Sequence, residues 1–339
     1  MVPSDVCTVP GAAGGPKGLI LGALDRFIFG RWLLQSNQPV HLIGASIGAW
    51  RMATACLDNP ALAFERLEHD YICQHYAPRA GEKKLPVAAV SAVFRANLES
   101  FYQGRVAEIL NHPRYCLHII TARGRNILGR EQSWRMALGF LGAWLGNAVQ
   151  RRAMGAWLER VVFSTQDLPL PFDSNDYRTV QRRLSEVNFM DSLQASCSIP
   201  FVLRAVHDIA GASPGAYWDG GLIDYHLHLN YPKAPCAKGL VLYPHFQKAV
   251  IPGWLDKRLT WRHHTSAFLD NVLLLAPDPD WVRTLPNGKL PDRTDFGFYG
   301  QDLAARVRDW STAAAAGVQL VEEFEQWLER PDPELVQAL

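Results

Sequence analysis

Short apolar runs alternate along the chain with longer segments whose apolar residues recur at helical spacing. Strand-like runs lie at residues 6–9, 40–43, 116–121, 160–164, 239–243 and 271–275. The first two runs are each followed by a helical stretch, at about 17–34 and 47–57. Strands separated by helices are typical of βαβ units, so the pattern predicts an α/β fold with a central, mostly parallel sheet flanked by helices.

One segment, residues 134–149 (WRMALGFLGAWLGNAV), is strongly apolar and rich in small residues. We interpret it as a buried helix that packs closely against its neighbours through Gly139, Gly142 and Gly146. The alternative is a lid, or an interfacial helix that meets lipid.

The C-terminal part of the chain is mainly helical in its pattern. Residues 301–328 have the spacing of one long amphipathic helix, and the loop LPDRTDFGFYG comes before them. We therefore divide the chain into a domain at 1–250 and a helical C-terminal extension at 251–339 that packs on it.

Composition and charge indicate a globular protein and argue against a nucleic-acid binder. Of 339 residues, 48% are hydrophobic, which is enough for a large core. The 34 basic and 33 acidic residues leave a formal net charge of +1, so the chain lacks the excess of positive charge typical of nucleic-acid binding. The N-terminal segment MVPSDVCTVPGAAGGPKG has no leader pattern, and no run reaches the ~18 apolar residues of a spanning helix. We predict a soluble, cytoplasmic protein.

The cysteines and histidines contain no recognisable metal-binding motif. No C-x-x-C pair occurs, which argues against a zinc ribbon, and H-E-x-x-H is absent. A chain of this length does not need disulfides, so we expect reduced thiols and neither metal nor cofactor. The six cysteines are Cys7, Cys56, Cys73, Cys116, Cys197 and Cys236.

The first candidate for chemistry is Gly44-Ala45-Ser46-Ile47-Gly48, which lies between a predicted strand and a predicted helix. A serine on such a turn, the nucleophile elbow, exposes its Oγ, and small residues such as Gly44 and Gly48 leave room for the sharp bend. The amide groups that begin the helix can stabilise a developing oxyanion. The pattern indicates Ser46 as a nucleophile; the alternative is a tight turn that ends in a helix cap.

A second candidate, Gly14-Gly15-Pro16-Lys17-Gly18, precedes the elbow by one helix and one strand. Consecutive glycines bring amide groups close to a ligand, which suits an oxyanion hole. Because Pro16 has no amide hydrogen, Gly14 and Gly15 are the candidate donors. Neither a P-loop nor a dinucleotide-binding glycine motif is present, and the remaining alternative is a flexible turn.

A third candidate, Asp219-Gly220-Gly221, follows the small-residue segment SLQASCSIPFVL. Alone, an aspartate before two glycines is typical of a plain turn. Taken in order, however, the GG-x-K-G loop, GASIG, ASCSIP and DGG resemble the patatin-like phospholipases over about residues 14–222.

This resemblance implies a three-layer patatin-like α/β domain at 1–250 and a Ser–Asp dyad in place of a Ser–His–Asp triad. Ser46 matches the nucleophile and Asp219 the dyad aspartate. The residues that match the family's oxyanion hole are Gly14, Gly15, Lys17, Gly18 and Ile47.

The chain departs from the family pattern in the loop and after DGG, and the strand before the loop is short and interrupted by Pro10. Ala12 and Ala13 stand where the family loop usually has an aspartate and a third glycine. The segment Asp224-Tyr225-His226-Leu227 follows DGG where many members have Asn-x-Pro. These departures bear on the substrate and on the geometry of the oxyanion hole. The first also motivates one alternative function, a non-catalytic relative that binds acyl chains or a protein partner.

The reaction that the resemblance implies is hydrolysis of an acyl ester of lipid, of the phospholipase A, lysophospholipase or general lipid acyl hydrolase type. Asp219 would accept the Ser46 proton, and water would release the acid from an acyl-enzyme. The expected partners are a lipid or other acyl ester and, transiently, a membrane surface; the oligomeric state stays open. A carboxylesterase or thioesterase on soluble acyl compounds is the alternative among enzymes. A Ser–His–Asp triad is a rival mechanism, and the candidate histidines are His207, His226, His228 and His245.

Overall fold

A sheet of nine strands runs through the centre of the computed structural model, which describes residues 1–76, 85–234 and 239–339. The strands are β1 (Val6–Gly11), β2 (Val40–Ala45), β3 (Tyr115–Gly124), β4 (Leu158–Ser164), β5 (Thr179–Arg183), β6 (Val206–His207), β7 (Ala216–Asp219), β8 (Leu240–Pro244) and β9 (Val272–Leu275).

The sheet is mostly parallel. Its main path follows the order β5-β4-β3-β2-β1-β8-β9, in which β1, β2, β3, β8 and β9 run in the same direction. β4 and β7 pair antiparallel with β3, and the short β6 pairs with β7. The predicted α/β fold with a mostly parallel central sheet is therefore confirmed.

Each strand-like run of the sequence falls on one of these strands, within one residue or extended by a few. β5, β6 and β7 were not among the predicted strands. β6 has two residues and β7 four, too short to show an alternating pattern, and β5 is half-buried on both faces.

Helices flank the sheet. In the part of the chain that the structure describes they are α1 (Gly22–Phe27), α2 (Ile47–Ala55), α3 (Pro60–Cys73), α4 (Val87–Tyr102), α5 (Val106–Leu110), α6 (Ser133–Val149), α7 (Phe189–Cys197), α8 (Pro279–Thr284), α9 (Asp295–Tyr299), α10 (Leu303–Ala316) and α11 (Val318–Glu329). A 3-10 turn, Gly15–Leu21, leads into α1. None of the helices in these residues combines the length and the apolar character needed to cross a bilayer.

The C-terminal extension is helical as predicted and also adds the edge strand β9. The single long helix expected at 301–328 is instead two helices, α10 and α11, which meet at Gly317. A side chain at Gly317 would collide with the carbonyl of Ile20, so the chain turns where it touches the N-terminal segment. Phe324 of α11 packs edge-on against Phe27 and Trp32, with ring centroids 6.1 and 5.8 Å apart.

Helix α6, which contains residues 134–149, is buried on one face only. Its glycine face packs closely, since a side chain at Gly139 would overlap Leu128 and one at Gly142 would overlap Trp157. The opposite face is an exposed apolar row, in which each side chain is more than half exposed: Trp134, Leu138, Leu141, Leu145 and Val149. The interpretation as a buried helix is therefore correct for the glycines and wrong for this row.

Candidate active site

Strand β3 brings the two candidate catalytic residues together. β2 pairs with β3 as far as Ala45, which lies opposite Ile120, and β7 pairs with β3 from the next position, with Asp219 opposite Thr121. β4 occupies the other edge of β3 over these residues. β2 and β7 therefore end against each other along one edge of β3, and Ser46 comes directly beside Asp219.

Ser46 and Asp219 form a hydrogen-bonded dyad. The Ser46 hydroxyl donates to Asp219 Oδ2 at 2.7 Å, and Asp219 Oδ1 accepts a hydrogen bond from the Gly221 amide at 2.7 Å. Both side chains are buried. Ser46 has φ 57° and ψ −130°, a conformation that is strained for a residue other than glycine and that is found at nucleophile elbows.

Ser196 supports the elbow from helix α7. The Ser46 amide donates to Ser196 Oγ at 3.0 Å, and Ser196 Oγ donates to the Ile120 carbonyl at 2.6 Å. Ser196 thus links the end of β2 to the backbone of β3. On the other side, Gly48 lies so close to the Gly11 carbonyl that a side chain there would collide with it, which explains the glycine.

Burial raises the pKa of Asp219 above the ordinary value for an aspartate. The hydrogen bonds from Ser46 and Gly221 and the positive charges of Arg293 and Lys257 oppose this rise. A carboxylate with a raised pKa is a stronger base at neutral pH than an exposed one. The environment of Asp219 is therefore suited to accepting the Ser46 proton.

Three residues with unbonded amide groups border the cavities next to Ser46. Gly14 borders one cavity next to Ser46, and Gly15, in the left-handed region with φ 59°, borders the other. Within the described residues, the amides of Gly14, Gly15 and Ile47 donate no hydrogen bond to a protein group. They are available to a substrate oxygen.

Of two further residues in the glycine-rich loop, one lines the cavity next to Ser46 and the other does not. Lys17 lines the cavity that contains Ser46 and Asp219. Gly18 lies beyond it in the 3-10 turn, where a side chain would contact Arg51 and Ile47, and it borders neither cavity next to Ser46.

Ser46 lies where two cavities of different character meet. The polar cavity has a volume of about 240 Å³ and contains Asp219, Gly14 and several charged side chains. The apolar cavity has a volume of about 430 Å³. Its apolar lining includes Trp50, Val90, Phe94, Ile199, Val202, Leu203 and Phe296.

The chain matches no family model and no curated protein. The site is therefore interpreted from its own geometry.

The candidate histidines of a triad do not reach the dyad. Within the described residues, Ser46 and Asp219 make no hydrogen bond to a histidine. His226 and His245 are buried and bond to backbone groups, and burial lowers the pKa of His245 to about 3. His207 contacts the Glu131 amide, and His228 contacts Ser266.

One cluster of potential metal ligands lies away from Ser46, near the amino ends of β2 and β3. The ligand atoms of His41, Cys116 and His118 all lie within 4.8 Å of one another. Two imidazoles and a thiol suit a zinc ion, but here the two rings hydrogen-bond directly, with Nδ1 of His41 2.9 Å from Nε2 of His118. The five cysteines in the described residues are free thiols; Cys236 lies outside them.

Sequence reasoning missed three residues of the site. Ser196 stood within the quoted ASCSIP segment, but its contact with the Ser46 amide depends on where α7 packs. Lys257 and Arg293 line the polar cavity and come from the C-terminal extension. Arg293 lies in the loop LPDRTDFGFYG, and its charge amid polar turn residues was the one available signal.

Proposed function

We propose that this protein is a serine acyl-ester hydrolase of the patatin-like type, which acts on lipid through a Ser46–Asp219 dyad. The observation that carries the proposal is the 2.7 Å hydrogen bond from Ser46 Oγ to a buried carboxylate, at the junction of an apolar and a polar cavity. A serine, a base and free amide groups at one point are the parts that acyl transfer requires.

In this mechanism Asp219 takes the Ser46 proton as Oγ attacks the ester carbonyl. The amides of Gly14, Gly15 and Ile47 receive the negative oxygen of the tetrahedral intermediate, and each such donor is worth about 3–4 kcal/mol where it has been tested. The intermediate collapses to an acyl-enzyme, and Asp219 returns its proton to the departing alcohol. Water, deprotonated by the same carboxylate, then releases the acid.

The apolar cavity supports a lipid acyl chain as the part of the substrate that becomes the acyl-enzyme. Its lining is mainly aromatic and aliphatic, and Ser46 and Ile47 are among the residues that line it. A chain seated there removes apolar surface from water, which contributes about 0.8 kcal/mol for each buried methylene. Affinity should therefore grow with chain length.

We expect kcat/KM for p-nitrophenyl esters to rise from acetate through butanoate and octanoate to dodecanoate. Val202→Trp, which narrows the rim of the apolar cavity, should lower the dodecanoate rate relative to the butanoate rate. The control Val187→Trp, at an exposed position outside the cavity, should change neither rate.

A fluorophosphonate probe should label the wild type and should not label Ser46→Ala. A short-chain preference would favour a soluble esterase or thioesterase; absence of both turnover and labelling would favour an acyl-binding protein without activity.

The exposed row of α6 supports contact with a membrane surface. The helix that carries this row lies beside the site. Phe140 of α6 packs against the exposed Phe201, with ring centroids 6.1 Å apart, and the next residue, Val202, lines the apolar cavity. The helix carries Arg135 and no acidic residue, so its charge complements an anionic lipid surface. We infer that α6 lies at the lipid interface when substrate enters.

Introducing acidic residues into this row, as in Leu141→Glu/Leu145→Glu, should reduce cosedimentation with phosphatidylglycerol vesicles by at least ~10-fold. The reason is that each leucine side chain that moves from water into lipid contributes about 1.5–3 kcal/mol to binding. Hydrolysis of p-nitrophenyl butanoate should stay unchanged. Leu62→Glu, a comparably exposed leucine on α3, is the matched control. Equal vesicle binding by the α6 variant and this control would contradict the inference.

A further inference from the structure

Three cationic side chains line the polar cavity beside Ser46: Lys17, Lys257 and Arg293. Lys17 comes from the glycine-rich loop, and the other two come from separate segments of the C-terminal extension. Within the residues that the structure describes, none of the three forms an ion pair with a carboxylate. Lys17 is half-buried, and Lys257 and Arg293 are exposed at the edge of the cavity.

The surrounding structure positions these cations. The ammonium group of Lys257 lies over the ring of Tyr225, 4.0 Å from its centroid, and that of Lys17 lies 5.5 Å from the Phe246 centroid. Arg293 lies over the glycine-rich loop, since its Nε is 3.2 Å from the position that a Cβ at Gly15 would occupy. Arg293 also borders both cavities, as Ser46 does.

Two carboxylates share the cavity and act on the three cations at longer range, but neither is within ion-pair distance of them. Asp219 accepts hydrogen bonds from Ser46 and Gly221. Asp292 pairs with Lys289 at 3.0 Å and accepts a hydrogen bond from the Thr294 amide. Three cations against two carboxylates leave the cavity lining with an excess of positive charge, which an anionic ligand would neutralise.

The cations also repel one another. Lys257 is exposed, but partial desolvation by its neighbours and the charges of Lys17 and Arg293 lower its pKa to about 8, against the opposing charge of Asp219. An arrangement that disfavours a proton on Lys257 costs free energy in the empty site, and a bound anion removes that cost. Clusters of arginine and lysine recognise phosphate and carboxylate through charge-assisted hydrogen bonds.

We propose that Lys17, Lys257 and Arg293 form a binding subsite for an anionic group, phosphate or carboxylate, on the alcohol part of the substrate ester. The acyl chain occupies the apolar cavity on one side of Ser46, so the leaving alcohol extends into the polar cavity on the other side. The assignment of the anion to the leaving alcohol rests on the proposed function; anion binding itself does not. The substrate class that follows is an acyl ester with an anionic headgroup, in preference to a neutral one.

The test compares two substrates that share one ester, 1-lauroyl-glycerol 3-phosphate and 1-lauroyl-glycerol, by the rate of fatty-acid release. Wild type should show a kcat/KM at least ~10-fold higher for the phosphate, since a charge-assisted hydrogen bond is worth about one order of magnitude in affinity. Lys257→Gln/Arg293→Gln should abolish this preference. The readout is the ratio of the two rates within each protein, because both charges also act on the pKa of Asp219 and their loss changes the rate for either substrate. Arg258→Gln, an exposed cation next in sequence that lies outside the cavity, should leave the preference intact. Equal rates for the two substrates in wild type, or an equal loss of both in the double variant, would overturn the subsite.

A binding experiment separates failure of the subsite from failure of the proposed function. Hexyl phosphate and inorganic phosphate are titrated calorimetrically into the wild type and into Lys257→Gln/Arg293→Gln. Tight binding of hexyl phosphate that the double variant loses supports the subsite even where neither ester is hydrolysed. Absence of binding by wild type overturns it. Inorganic phosphate bound as tightly as hexyl phosphate would overturn the assignment to a lipid headgroup in favour of the free anion.

Discussion

Replacement of Ser46 by alanine is expected to lower the turnover of acyl esters by at least ~10⁴-fold, to the level of the uncatalysed reaction plus what the amide donors supply alone. The reason is chemical: Ser46 Oγ is the atom that attacks, and no acyl-enzyme forms without it. The measurement is the steady-state kcat for p-nitrophenyl octanoate with purified wild type and variant side by side.

The fold should survive this change. Alanine has the same Cβ as serine, so the steric cost of the backbone conformation at φ 57° is unchanged. The amide of residue 46 still donates to Ser196 Oγ. The melting temperature of the variant should lie within a few degrees of wild type. Activity of Ser46→Ala within ~10-fold of wild type would show that another group performs the reaction.

Replacement of Asp219 by asparagine is expected to lower kcat by about 10³–10⁴-fold, the range seen where a general base or its partner loses its charge. Asparagine has nearly the same shape as aspartate, but its neutral amide group is too weak a base to take the Ser46 proton. In the described residues no histidine contacts Ser46 to replace it. Ser46 should remain in place, so slow labelling by a fluorophosphonate should persist.

The pH dependence distinguishes a base from a merely structural aspartate. Because burial raises the pKa of Asp219, kcat/KM of wild type should fall on the acid side as the pH drops through that raised pKa, which lies above the ordinary value of about 4. The residual activity of Asp219→Asn should lack this acid limb. A variant that retains the limb would assign the titration to another group.

Asp219 affects stability in the opposite direction from activity as the pH changes. A raised pKa means that the folded state favours the protonated form, so the contribution of Asp219 to stability is present below about pH 4 and is lost as the pH rises through the raised value. At neutral pH the ionised, buried carboxylate therefore costs stability. Asp219→Asn should melt at or above the wild-type temperature, which separates its loss of activity from unfolding.

Much of the fold could be predicted from local sequence, because its strands and helices are built from contiguous patterns. The run at 40–43, the glycines around Ser46 and the helix after them require a sharp strand-to-helix turn, and the structure has it. The hydrophobic pattern gave a wrong prediction where a residue distant in the sequence determines the local structure. Gly317 divides a helix that is amphipathic throughout, because Ile20 passes beside it.

Helix α6 shows the same limit for burial. Its glycines indicated close packing and indeed meet Leu128 and Trp157. Its leucines are equally apolar, yet they lie on a face that the rest of the described chain leaves exposed. The apolar residues of a segment predict that its surface is removed from water. Whether protein or lipid covers that surface depends on how elements distant in the sequence pack around it.

The sequence by itself determined the parts of the candidate site: a serine on a turn, consecutive glycines that present amides, and an aspartate before two glycines. Only the tertiary structure decided that Ser46 and Asp219 meet, since β2 and β7 are far apart in the chain and are aligned end to end by their pairing with β3. It also decided that Lys257 and Arg293 join Lys17 beside them. The conformation of a turn or a strand depends mainly on neighbouring residues in the sequence. The distance between two side chains far apart in the sequence depends on how all of the chain between them folds.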